Sequence, residues 1–138
     1  MDQVVISYNG CSLTIGDVVR GPGGDIWSLV VEIADSGLRA SIAVSADHTV
    51  QFDDLVEFFA ELERQWQGWG GDRVYESLEG EFRITASHLG SRIRLVVELG
   101  DVMPDEWRAQ VTLTVDAGEQ LRAAAVDLAA LLGPARSY

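Results

Sequence analysis

The sequence predicts an α+β protein made by tandem duplication. A four-strand-plus-helix unit occurs twice, giving antiparallel sheet, as one eight-stranded sheet or two joined sheets, with both helices on one face and a pseudo-twofold relation between halves. Three observations carry this. The apolar runs Leu29-Val-Val-Glu-Ile33 and Leu95-Val-Val-Glu-Leu99 are near copies. Leu38-Arg-Ala-Ser-Ile-Ala-Val-Ser-Ala-Asp47 parallels Trp107-Arg-Ala-Gln-Val-Thr-Leu-Thr-Val-Asp116 at an offset of 69 residues, half of the 138-residue chain. The same offset carries Phe52, Leu55, Val56, Phe59 and Leu62, one face of an amphipathic helix, onto Leu121, Ala124, Ala125, Leu128 and Leu131.

The elements follow in order. Ser12-Leu-Thr-Ile15 maps onto Glu81-Phe-Arg-Ile84, an early strand in each half. The hairpin turn Gly21-Pro-Gly-Gly-Asp25 is longer than its counterpart around Leu89-Gly-Ser91, and the loop Asp101-Val-Met-Pro-Asp-Glu106 restores the offset. Alternation is clean in the last strand: Trp107, Ala109, Val111, Leu113 and Val115 face in, while Arg108, Gln110, Thr112 and Thr114 face out. Arg39, Ser41, Ala43 and Ser45 are the matching outer face of the first half. Asp116 suits an N-cap, with Glu119 three residues on completing a capping-box-like pair. Gly133-Pro134 ends the second helix. Between the halves, Gln65 to Gly71 closes the first helix and Asp72 begins the second set of strands. One unit alone leaves a helix stripe and a sheet face uncovered, so repeats 1–69 and 70–138 are expected to share the core of a single domain spanning 1–138.

Composition bounds the function. Apolar residues make up 47% and charged residues 23%, ordinary for a globular domain. No run of about 18 apolar residues occurs, so no membrane association is expected. The start MDQVVISYNG lacks a basic segment and an apolar signal core, and the single Cys11 allows no internal disulfide; both point to the cytoplasm. Cys11 reads as a small buried residue in preference to a reactive thiol. The net charge of −12 excludes a general phosphate-neutralising surface, so no nucleic-acid partner is expected, and it favours either a basic protein partner or simple solubility. All ten basic residues are arginine.

Chemistry-bearing motifs are few. His48 and His88 lack the spacing of a zinc site, and no nucleophile elbow supports a Ser-His-Asp set. The clusters Gly21-Pro-Gly-Gly24 and Gly68-Trp-Gly-Gly71 precede strand patterns and not helices, unlike phosphate loops. The acids at 53, 54, 57, 61 and 63 form the polar face of a helix, and neither they nor Asp72, Glu76, Glu79 and Glu81 follow a calcium-loop pattern. No catalytic residue, metal or cofactor is therefore expected. Arg39, Arg83, Arg92, Arg94 and Arg108 fall on outward strand positions. They suit carboxylate binding on one sheet face, or cross-strand pairing with Glu81 and Glu98. Trp66 and Trp69 are either anchors for a partner or packing at the seam between repeats.

Gly71-Asp-Arg-Val-Tyr-Glu-Ser-Leu-Glu-Gly-Glu-Phe82, above all Ser77-Leu-Glu-Gly80, and Trp107 to Leu121 carry a resemblance. From about Asp25 to Leu132 the sequence resembles the immunity proteins of wall-associated (WapI-type) contact-dependent bacterial toxins, and more closely an actinobacterial domain family of unknown function. Such families run helix, Gly-containing joint, "SLEG", strand, Gly-rich turn, two strands and helix. Their Asp-Gly-x-Gly-His turn is here Ser87-His-Leu-Gly-Ser91, shorter and without the aspartate, so a partner recognised there would differ. The resemblance implies a non-catalytic protein that neutralises a cognate, basic toxin domain by occlusion. The alternative is a housekeeping or assembly module, homodimeric through its sheet edges.

Overall fold

The computed structural model describes residues 2–100 and 107–133. They form eight strands and two helices in two four-stranded antiparallel sheets, each followed by a helix. The first sheet runs β1 (Gln3–Tyr8), β2 (Cys11–Arg20), β3 (Ile26–Asp35) and β4 (Leu38–Ser45), in sequence order, and leads into α1 (Asp53–Arg64). The second runs β5 (Asp72–Glu76), β6 (Phe82–Leu89), β7 (Arg92–Gly100) and β8 (Arg108–Asp116), and leads into α2 (Glu119–Leu132). Of the two arrangements compatible with the duplication, two sheets is the one adopted. The segment predicted to restore the offset, Asp101 to Glu106, and the predicted stop at Pro134 lie outside the described residues.

The duplication extends to register. Leu13↔Ile33 and Ile15↔Val31 of the first sheet recur as Phe82↔Leu99 and Ile84↔Val97 of the second. Leu29↔Val44 and Val31↔Ile42 recur as Leu95↔Leu113 and Val97↔Val111. A one-residue slip would turn every side chain to the wrong face, so matched registers place the same apolar positions inside in both halves. The first strands depart from the pattern. Ile6 faces Leu13, and the place opposite Phe82 goes to Ser77, whose N–H bonds the Phe82 carbonyl at 2.8 Å.

One hydrophobic cluster takes residues from both sheets and both helices. The helices pack on each other, α2 meets β1 and β8, and β8 approaches β1, β2 and β3. The predicted helix faces are inside: Phe52, Leu55, Phe59 and Leu62 in the first, Leu121, Ala124, Ala125, Leu128 and Leu131 in the second, with Val56 half-buried. Asp53 and Asp54 occupy the first turn of α1, where the helix dipole favours negative charge. The cap of α2 differs from expectation. Asp116 accepts the N–H groups of Gly118 and Glu119, both at 3.1 Å, but the return bond comes from Gln120, whose side-chain oxygen accepts the Asp116 N–H at 2.9 Å. Ala117 and Gly118 stand between Asp116 and the helix, so the side chain that reaches back is one residue further on.

Candidate functional site

The seam between repeats separates the two tryptophans. After α1 ends at Arg64, the chain turns through Gly68 and Gly71, both at positive φ, a region that glycine occupies without strain. This turn swings Trp69 inward. Its ring packs on the core, meets the His88 ring edge-on at 5.1 Å and lies 6.0 Å from the Arg73 guanidinium. Arg73 is itself held by a 3.0 Å bond to the Gln65 side chain. His88 stands near the end of β6, beside the turn to β7, and its Nε2 sits 2.9 Å from the Trp66 carbonyl oxygen. Trp66 points away, with 51% of its surface exposed. Trp69 thus joins the repeats, and Trp66 is free to meet solvent or a partner.

The five arginines do not make one face. Arg39 stands on the first sheet, 3.1 Å from Glu32. Arg83, Arg92, Arg94 and Arg108 stand on the second. There the register places Arg83 between Glu76 and Glu98, and Arg92 opposite Asp116. These two stand opposite acids, as cross-strand pairing requires, whereas Arg94 stands opposite Ser87 and Thr114 and Arg108 opposite Gly100. Glu81, expected on that face, is buried instead. It precedes β6, outside the alternation, and accepts a hydrogen bond from the Ser77 hydroxyl, which also accepts the Phe82 N–H at 3.0 Å. "SLEG" is therefore a turn built around an internal serine–glutamate pair. Nearby, burial first and then the charges of Asp54 and Glu81 push the Tyr75 hydroxyl well above the ordinary tyrosine range. At the start of β2, a bond to the Asp35 carboxylate, then burial, raises the Cys11 thiol, which keeps it protonated and a poor nucleophile.

A groove of about 490 Å³ opens where both repeats meet solvent. Its walls are the start of β3, the β4–α1 connection and the β5–β6 turn. Trp27 and Leu78 project into it, 58% and 61% exposed, with Asp25, Asp47 and Glu79 around them and His48 alongside. The walls are tied together. The Ile26 N–H donates to the Gln51 side-chain oxygen at 2.8 Å, the Gln51 amide donates to Asp25 at 3.1 Å, and the Ala46 N–H donates to the Trp27 carbonyl at 2.9 Å. Asp47 accepts the N–H groups of Thr49 and Val50, which holds its carboxyl below the usual range and therefore charged near neutrality.

Sequence reasoning misses this groove for a definite reason. Strict alternation puts Trp27 with Leu29, Val31 and Ile33, all inside. The register slips between Val19↔Ser28 and Arg20↔Ile26, leaving Trp27 as the extra residue of a bulge. A bulge re-aims a side chain, so Ile26 goes in and Trp27 comes out. The signal available beforehand is the longer Gly21–Asp25 hairpin, the one place where the repeats differ in length before β3 and β7.

Among the described residues no helix is long and apolar enough to cross a membrane, and no His, Cys, Asp or Glu group is placed to hold a metal. A domain of two meander-plus-helix repeats with an exposed, carboxylate-ringed groove is the class that this geometry defines. Residues 5–135 match the family described as "Family of unknown function (DUF6228)", and the chain belongs to that family. No curated protein matches the chain.

Proposed function

We propose that this chain is a non-catalytic protein-binding protein of the cytoplasm, and that it acts as an immunity protein. It neutralises a bacterial toxin by covering the toxin's active surface. The observation that carries this reading is the exposed Trp27 and Leu78 ringed by Asp25, Asp47 and Glu79, on a chain of net charge −12. Apolar anchors inside a rim of charge are the usual anatomy of a binding hot spot, and the acidity speeds encounter with a basic partner. The resemblance of Gly71 to Phe82 and of Trp107 to Leu121 to immunity proteins of wall-associated contact-dependent toxins supports the same reading. Co-expression with a large secreted toxin from a neighbouring gene tests it. A stable complex and restored growth are expected; neither one appearing removes the immunity reading.

A second reading, a homodimeric assembly module, draws on the unpaired edges of β4 and β8, strands of 8 and 9 residues. Light scattering separates the two. A stable dimer that binds no toxin favours the second reading.

A further inference from the structure

We infer that the Trp27 groove seats a cationic side chain, arginine or lysine, presented by a partner polypeptide, with the Trp27 ring as its platform and Leu78 as the apolar flank. This deepens the proposed binding role and rests on it. Three observations lead there.

The first is the internal comparison that the duplication supplies. Leu29 corresponds to Leu95, so Trp27 corresponds to Ile93. Ile93 is fully buried, paired with His88 and Val115 in an unbroken register. The same place in one repeat is core, and in the other a bulge lifts the chain's largest type of side chain into solvent. Ile26 fills the inward place instead, so the core is complete without the indole and the exposed ring is an addition that the packing of this half does not use.

The second is Gly21. Its φ is ordinary, so backbone conformation does not call for glycine. What calls for it is Trp27: a Cβ on Gly21 would stand 2.5 Å from Cε2 and 2.6 Å from Nε1 of the indole. The ring thus rests directly on the Gly21 backbone, a close approach that any side chain at residue 21 would block. An aromatic platform fixed before binding loses little side-chain freedom when the partner arrives.

The third is charge complementarity. Asp25 is positioned by Gln51, Asp47 by the N–H groups of Thr49 and Val50, and Glu79 by the β5–β6 turn across the groove. A guanidinium or ammonium over an indole face gains from the ring's quadrupole, and adjacent carboxylates take its N–H donors. At this carboxylate-lined groove the net charge of −12 disfavours nucleic acid and an equally acidic second copy, and favours a basic polypeptide as the occupant.

The test uses the whole chain, ¹⁵N-labelled, and a short blocked arginine–leucine peptide beside its citrulline counterpart, which keeps the shape and loses the charge. The Trp27 indole N–H signal is assigned by its loss in Trp27→Phe. The arginine peptide is expected to shift that signal and the amides of Leu78 and Glu79 saturably, with the citrulline peptide about tenfold weaker or worse. Gly21→Ala, which displaces the ring, is expected to weaken binding about tenfold while the rest of the spectrum stays. Glu79→Gln, at an exposed turn, gives the same readout should Gly21→Ala fail to fold. Shifts centred on Trp66, equal shifts from both peptides, or unchanged binding in both variants overturn the inference. Failure of the broader reading looks different. Growth rescue that survives Trp27→Ala leaves the immunity role standing and removes the groove, whereas peptide binding at Trp27 without rescue from the neighbouring toxin keeps the groove and removes the immunity role.

Discussion

Ser77→Ala strikes the inside of the "SLEG" turn. Ser77 is 4% and Glu81 2% exposed, so water does not readily replace what the hydroxyl supplies. The hydroxyl does two things: it donates to the Glu81 carboxylate and accepts the Phe82 N–H at 3.0 Å. A hydrogen bond to a charged group contributes roughly 1.5–3 kcal/mol, and a buried N–H left unpaired costs roughly 1–3 kcal/mol. The two losses overlap, since both relieve through the same small shift of the turn, so the expected cost is about 3 kcal/mol. Against a typical total of about 5–15 kcal/mol this is large. For a domain of this size it lowers Tm by about 10 °C. Urea unfolding followed by far-ultraviolet circular dichroism measures it, in a cycle with Glu81→Gln and the double variant. The expected coupling between the two sites is about 1.5 kcal/mol or more. A cost below about 1 kcal/mol with no coupling would refute the reasoning, because the carboxylate would then be finding water. The first repeat shows that the fold as such does not require the hydroxyl: Ile6 occupies the equivalent place against Leu13.

Other outcomes are expected from the same geometry. Trp69→Ala removes the ring that packs on the core beside His88 of β6 and costs about 2–3 kcal/mol, while Trp66→Ala stays within about 0.5 kcal/mol; thermal melts showing equal effects would contradict the division of the two tryptophans. Tyr75 gives an alkaline signature. Its folded pKa is raised by burial, so its contribution is fully present below the ordinary tyrosine value of about 10. Above that pH the unfolded chain ionises first, and stability falls as pH rises towards the folded pKa. Urea midpoints at about pH 8 and about pH 11 should therefore drop more for the native chain than for Tyr75→Phe, and equal drops would assign the loss elsewhere.

Much of the fold was legible because local periodicity repeats. The alternation through Val111, Leu113 and Val115, and the spacing of Leu55, Phe59 and Leu62, each specify one buried face whatever lies opposite. The 69-residue offset then predicted that the two halves would be built alike, as the matched registers of β2–β3–β4 and β6–β7–β8 confirm. The candidate site was legible only in part. The outward arginines are outward, but their division between two sheets depends on where the first sheet stops. Trp66 and Trp69 read alike, and only the turn through Gly68 and Gly71 sends one in and the other out. Glu81 looked like one more surface acid until the turn folded Ser77 over it.

The sequence by itself determined the repeat, the helix faces, the strand faces apart from Trp27 and Trp107 (the latter precedes β8 and is exposed), the strong acidity and the place of the seam, because each is a matter of residue type at short or regular spacing. Tertiary structure decided that the strands split into two sheets, that Glu81 is internal and that Trp27 is external. Those outcomes depend on a slipped register and on contacts between residues far apart in the chain. Period-two reasoning assumes an unbroken ladder, and one extra residue at Trp27 breaks it.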